Sequence, residues 1–268
     1  MMRTLQMFAL AAYASAAGLD GFQIHSTTRG NGPKTVIFVH GWTCDESSWA
    51  GQVPAFEKEY RVITLDLPGH GQSGAPKDAA LSMALFARAV EAVRAEARVE
   101  RVVLVGHSMG VPVILQYARM FPAHLAALVP VDGPLHLSGG PNAPNPDAMK
   151  GSAGMKNRES MIRTMFGPSA TPAMKDQVLK MMLAAPESTA SQAMAAMFNP
   201  AVWTEDVRPF AMLGIYADKS GANDPAFMKK VFPNGSATEI VGTGHFVMME
   251  KPAEFNRLLA GFLAKVKF

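Results

Sequence analysis

A single cysteine, Cys44, stands in a chain of 268 residues, which excludes an internal disulfide and any multi-cysteine metal site. Charge is also sparse, at 18% of residues with a formal balance of +3. Its lysines and arginines are scattered, so the chain lacks the basic patch on which nucleic-acid binding depends. Beyond the first residues, no apolar stretch is long enough and free enough of charge and proline to span a bilayer. Histidines and carboxylates do not recur at metal-ligand spacing, so no metal is expected, and no cofactor. The class left by these gaps is a protein acting on a small, neutral or weakly charged partner.

What is present is apolar: 49% of the residues, with 19 methionines. That suffices for a full core in one domain carrying a moderate insertion. At the start, Arg3 precedes an apolar run from Leu5 to Tyr13 and then Ala14-Ser15-Ala16, which reads as a small-residue cleavage site. Residues 1–17 are therefore expected to be a signal peptide and the mature protein periplasmic or secreted. An alanine-rich start on a cytoplasmic protein is the competing reading.

From residue 18 onward strands and helices alternate. Phe22 to Thr28 reads as an edge strand. Lys34–His40, Arg61–Asp66, Arg101–Val105 and Leu125–Val131 read as buried strands rich in β-branched residues. Leu81–Ala97 and Met109–Met120 read as helices, the second stopped near Pro122. This rhythm predicts an α/β fold with a doubly wound, mostly parallel sheet. It breaks over residues 134–208, where a Gly/Pro/Asn-rich link leads into short helical stretches around Lys156–Phe166, Ala173–Ala185 and Thr189–Phe198. A helical lid is expected there, inserted after the strand that ends near Val131. Phe210–Ala217, Pro225–Phe232, Ala237–Val241 and Pro252–Lys265 then complete the alternation as strand, helix, strand and helix.

The most informative residues are Gly106-His107-Ser108-Met109-Gly110, a G-x-S-x-G sequence set between a predicted strand and a predicted helix. A sharp turn there lifts the Ser108 hydroxyl clear of the sheet, needs small neighbours, and aims the Met109 backbone N–H at any developing oxyanion. His245 follows two glycines past the last strand, Gly242-Thr243-Gly244-His245-Phe246, and suits a general base because imidazole titrates near neutrality.

With His40-Gly41-Trp42 and Asp66-Leu67-Pro68-Gly69-His70-Gly71-Gln72-Ser73, these segments resemble the α/β-hydrolase family over nearly the whole chain, Phe22 to Phe268. The resemblance implies a cofactor-independent serine hydrolase with Ser108 as nucleophile, His245 as base, and the Trp42 and Met109 N–H groups as oxyanion donors. His40 and His107 are motif neighbours that shape the site, and His70 is a loop residue. His25, His124 and His136 read as surface or packing residues. The family's acid is open. It usually follows the strand expected at Phe210–Ala217, where the chain reads Ala217-Asp218-Lys219-Ser220 and the expected position holds serine. Asp218 comes early and Asp224 late, the latter placed to cap a helix. Some family members carry the acid after the preceding strand, which favours Asp132, itself a plausible turn residue before Gly133-Pro134.

The insertion holds Met149, Met155, Met161, Met165, Met174, Met181, Met182, Met194 and Met197 with Phe166 and Phe198, predicting a deformable apolar inner face. Esters of small apolar or aromatic compounds are the expected substrates. Trp42 and Trp49 are expected near the entrance. A lactonase, a carbon–carbon bond hydrolase, a perhydrolase, or a small-molecule-binding module with vestigial turnover would share the same skeleton.

Overall fold

The computed structural model describes residues 13–137 and 145–268. Eight strands form one sheet: β1 (Tyr13–Leu19), β2 (Phe22–Arg29), β3 (Thr35–Val39), β4 (Arg61–Leu65), β5 (Val102–His107), β6 (Leu125–Val131), β7 (Ala211–Ala217) and β8 (Gly235–Ile240). Their spatial order is β1-β2-β4-β3-β5-β6-β7-β8. The β1–β2 and β2–β4 pairs are antiparallel, and every later pair is parallel. Apolar, β-branched runs explain the centre: β3, β5 and β6 are buried at every residue, as parallel strands covered on both faces must be.

The helices are α1 (Val53–Phe56), α2 (Met83–Glu96), α3 (Gly110–Met120), α4 (Gly151–Arg163), α5 (Pro172–Ala184), α6 (Glu187–Met197), α7 (Pro225–Val231), α8 (Val247–Glu250) and α9 (Pro252–Leu263). Helix α2 starts where the Ser82 hydroxyl accepts from the Leu85 N–H, and it buries a stripe including Phe86, Val90 and Val93. Together with α3, which is buried along most of its length, it packs on the sheet. No helix among the described residues is long and apolar enough to cross a membrane.

Helices α4, α5 and α6 lie between β6 and β7 in the chain. Thr171 caps α5 and Pro172 opens it, while Pro186 separates α5 from α6. These helices bury Met174, Met181, Met182 and Met194 and are tied to the sheet side by α6. The Trp42 indole N–H donates to the Ala190 carbonyl (2.8 Å), the Thr189 hydroxyl to the Gly69 carbonyl (2.9 Å), and the Leu81 N–H to Gln192 Oε1 (3.0 Å). Most of the Gly/Pro/Asn-rich link, residues 138–144, lies outside the described residues.

Two expectations change. Phe22–Arg29 is not the edge strand, because β1 pairs along it and takes the edge. Ala14, Ser15 and Ala16, read above as a cleavage site, lie in β1 opposite Thr27, Ser26 and His25; the apolar run before them lies mostly outside the described residues. Only Ala17 of β1 is buried, so the strand carries no β-branched alternation by which to recognise it. Trp49 is not at the entrance either. It is fully buried among Phe38, Phe255 and His107.

Candidate active site

Ser108, His245, Asp132, Trp42 and Met109 sit at the carboxyl edge of the parallel strands, where loops from neighbouring strands converge. Strand β5 ends at His107, the chain reverses at Ser108, and α3 begins at Gly110. Ser108 has φ of +54°, a left-handed conformation that costs a non-glycine residue energy and persists only when its surroundings enforce it. Enforcement comes from the Ser108 N–H donating to the Val131 carbonyl and the Val111 N–H donating to the Ser108 carbonyl, both at 2.9 Å. Close packing accounts for the flanking glycines. A Cβ on Gly106 would lie 2.4 Å from the Gly110 carbonyl oxygen, and one on Gly110 would lie 2.5 Å from that of Val39.

Asp132 follows β6 directly and also has positive φ, +37°. Its Oδ2 accepts from His245 Nδ1 at 2.7 Å, and its Oδ1 accepts from the Ala217 N–H at 2.9 Å. Burial pushes this carboxyl up, but the hydrogen bond and charge of His245 and the Ala217 amide outweigh it and hold the group below the usual aspartate value. Because Asp132 accepts a hydrogen bond from Nδ1–H and so keeps the proton on that nitrogen, the other imidazole nitrogen of His245 is left as an acceptor. Ser108 and His245 border one small cavity of about 10 Å³, lined also by Trp42, Cys44, Met165 and Met182. That is roughly the room a single water needs.

The other two acids lie elsewhere. Asp218 Oδ2 accepts from the Gly242 N–H (3.2 Å). Asp224 caps α7 through the Phe227 N–H (2.9 Å) and pairs with His136 Nε2 (2.8 Å). Of the three aspartates, the one brought to His245 is Asp132.

Trp42 and Met109 flank Ser108 from two directions, at the end of the β3 loop and the head of α3. Neither backbone N–H donates to an acceptor among the described residues. A Cβ on Gly41 would stand 3.0 Å from the Ser108 Cβ, so the turn carrying Trp42 lies directly against the serine.

Three buried histidines frame this arrangement. His40 Nδ1–H donates to the Gly41 carbonyl (2.8 Å) while its Nε2 accepts from the Leu67 N–H (2.9 Å), which holds the Gly41–Trp42 turn. His107 Nε2–H donates to the His245 carbonyl (2.8 Å); burial first, and then nearby His245, push its pKa down to about 3. His70, expected as a simple loop residue, is fully buried, and burial with His40 beside it depresses its pKa to about 3. Sequence reading passed over Glu250, a buried carboxylate on α8 bonded to the Gly244 N–H (3.0 Å). Its position five residues beyond His245 carries no spacing that announces such a contact.

A model of the alpha/beta hydrolase family matches residues 36–258. The chain belongs to this family. Within it, the chain is 27% identical to a Haemophilus influenzae protein described as a candidate esterase/lipase, covering 93% of this chain and 90% of that one. It is 26% identical to a 2-hydroxy-6-oxononadienedioate/2-hydroxy-6-oxononatrienedioate hydrolase of Cupriavidus pinatubonensis, covering 90% and 91%. Among solved structures, a thermophilic esterase from Thermogutta terrifontis superposes with a TM-score of 0.82 at 22% identity, over 94% of this chain and 98% of that one. At that identity the likeness speaks to the fold alone.

Proposed function

We propose that this alpha/beta hydrolase is a serine hydrolase that cleaves carboxylic esters of small apolar or aromatic compounds through an acyl-enzyme. The observation that carries the reading is the 2.7 Å Asp132–His245 pair set across one cavity from Ser108. In this mechanism His245 takes the Ser108 proton as the hydroxyl oxygen attacks the ester carbonyl, and the Met109 and Trp42 N–H groups receive the oxyanion. His245 then returns the proton to the leaving alcohol, and water activated by the same imidazole releases the acid. Asp132 keeps the proton on Nδ1 and stabilises the imidazolium without taking the proton itself.

Helices α4–α6 act as the lid. Met165 and Met182 line the cavity at Ser108, and a space of about 10 Å³ holds no ester, so the insertion shifts to admit one. Flexible thioethers suit a wall that must re-form around different acyl chains.

Fluorophosphonate labelling with mass spectrometry, run beside p-nitrophenyl ester turnover, tests the assignment. Labelling is expected at Ser108, and Ser108→Ala is expected to lose both signals. A wild-type protein that neither labels nor hydrolyses short or medium acyl esters would overturn the esterase reading. The similarity to the C. pinatubonensis hydrolase favours one second reading, carbon–carbon bond cleavage on the same three residues. Turnover of a vinylogous 1,5-diketone in preference to every ester would select it.

A further inference from the structure

The loop carrying His245 is fastened to the linker between α4 and α5. The His245 N–H donates to the Met165 carbonyl at 2.7 Å, and the Ser169 hydroxyl donates to the Gly242 carbonyl at 2.8 Å. Between these bonds the two backbones touch: a Cβ on Gly167 would lie 2.0 Å from the Gly244 nitrogen, and one on Gly244 would lie 2.2 Å from the Gly167 nitrogen. This crossing brings two N–H groups side by side, and both point into one carboxylate. Glu250 Oε1 accepts from Gly167 and Oε2 from Gly244, each at 3.0 Å.

Glu250 is buried on α8 and pairs with no lysine or arginine among the described residues. An anion without a cation, chelated by two amides, makes strong charge-assisted bonds to both. Without the carboxylate, two adjacent donors would be left unsatisfied at a backbone contact, and the crossing would open.

We infer that Glu250 is a positioning residue for His245. By clamping Gly244 to Gly167 it keeps the imidazole in register with Asp132 and holds Met165 over Ser108, so base and linker keep one geometry. The inference rests on the reading of His245 as general base, and a displacement of about 1 Å in such a group is enough to cost on the order of 10²-fold in rate.

The test compares wild type with Glu250→Gln, Glu250→Ala and His245→Ala. Turnover of a p-nitrophenyl ester is normalised to sites titrated with fluorophosphonate, and the hydrogen-bonded His245 Nδ1 proton is followed by NMR. Glu250→Gln keeps the shape and one acceptor oxygen but sets an amide N–H₂ against a backbone N–H. It is expected to lower kcat per titrated site roughly 10- to 100-fold, to leave KM within about twofold, and to shift or broaden the imidazole resonance. Glu250→Ala is expected to lose more, and the isosteric Gln variant carries the test should the Ala variant fail to fold. If Glu250→Gln melts earlier but keeps wild-type kcat per site and an unchanged resonance, the residue is merely structural and the inference falls. An inactive His245→Ala beside wild-type-like Glu250 variants sinks this inference alone. An active His245→Ala sinks the general-base reading, and this inference with it.

Discussion

At the scale of single residues, the sharpest question is which aspartate serves His245, and the structure divides the candidates by contact. Asp132→Asn removes the acceptor that fixes the Nδ1 proton, so kcat is expected to fall by about 10⁴-fold. Asp218→Asn alters one 3.2 Å contact to the Gly242 amide and is expected to keep turnover within a few-fold of wild type. Measuring ester hydrolysis by both variants decides the matter; a dead Asp218→Asn with an active Asp132→Asn would reverse the assignment. Ser108 and His245 were legible in the sequence because glycines at set offsets accompany a strand-to-helix turn and a histidine loop. The acid was legible only as a preference for Asp132 among three aspartates, since proximity in space depends on how far β6 and β7 reach past one another. That the Asp132 backbone takes a left-handed conformation leaves no mark on its neighbours in sequence. Trp49 misled for a similar reason: a tryptophan close in sequence to Trp42 need not share its surroundings, and this one packs in the core against Phe38 and Phe255.

Among elements, the buried strands announced themselves through unbroken apolar runs, and the inserted helices through their prolines. Strand β1 did not. Its sequence, YASAAGL, is low in β-branched residues, and only its register against β2 makes it a strand. A chain trimmed through Ala16 would strip the partners from His25–Thr28 and leave Ser26 and Thr28, both buried, beside an unpaired edge. Such a chain is expected to melt roughly 5 °C lower than one keeping Tyr13–Leu19 and to associate more readily through the exposed edge, as calorimetry and light scattering would report. Equal melting temperatures would mean β1 contributes nothing to the sheet. Helix α8 was also missed, being a single turn, yet it delivers Glu250 to the histidine loop.

For the whole molecule, buried neutral imidazoles set the response to acid. His70 and His107 are both held near pKa 3 by burial, against about 6.5 in an unfolded chain. Between those values the unfolded state binds protons that the folded state refuses, so stability is complete above pH 6.5 and falls as pH drops toward 3. Each group weakens the folding equilibrium about tenfold per pH unit within that window. Asp132, depressed in the fold, adds a further loss once pH passes below the usual aspartate value. Denaturant melts at pH 7, 5.5 and 4 should show a steady fall, and a flat profile would mean these histidines are solvated.

The cavity at Ser108 carries a kinetic consequence. On the proposed reading, a space that accommodates about one water admits an ester only as Met165 and Met182 move aside, so encounter and productive binding are separate events. Under pre-steady-state mixing, the observed acylation rate should climb with ester concentration and then level off at the frequency of opening, at the same ceiling for esters of quite different intrinsic reactivity.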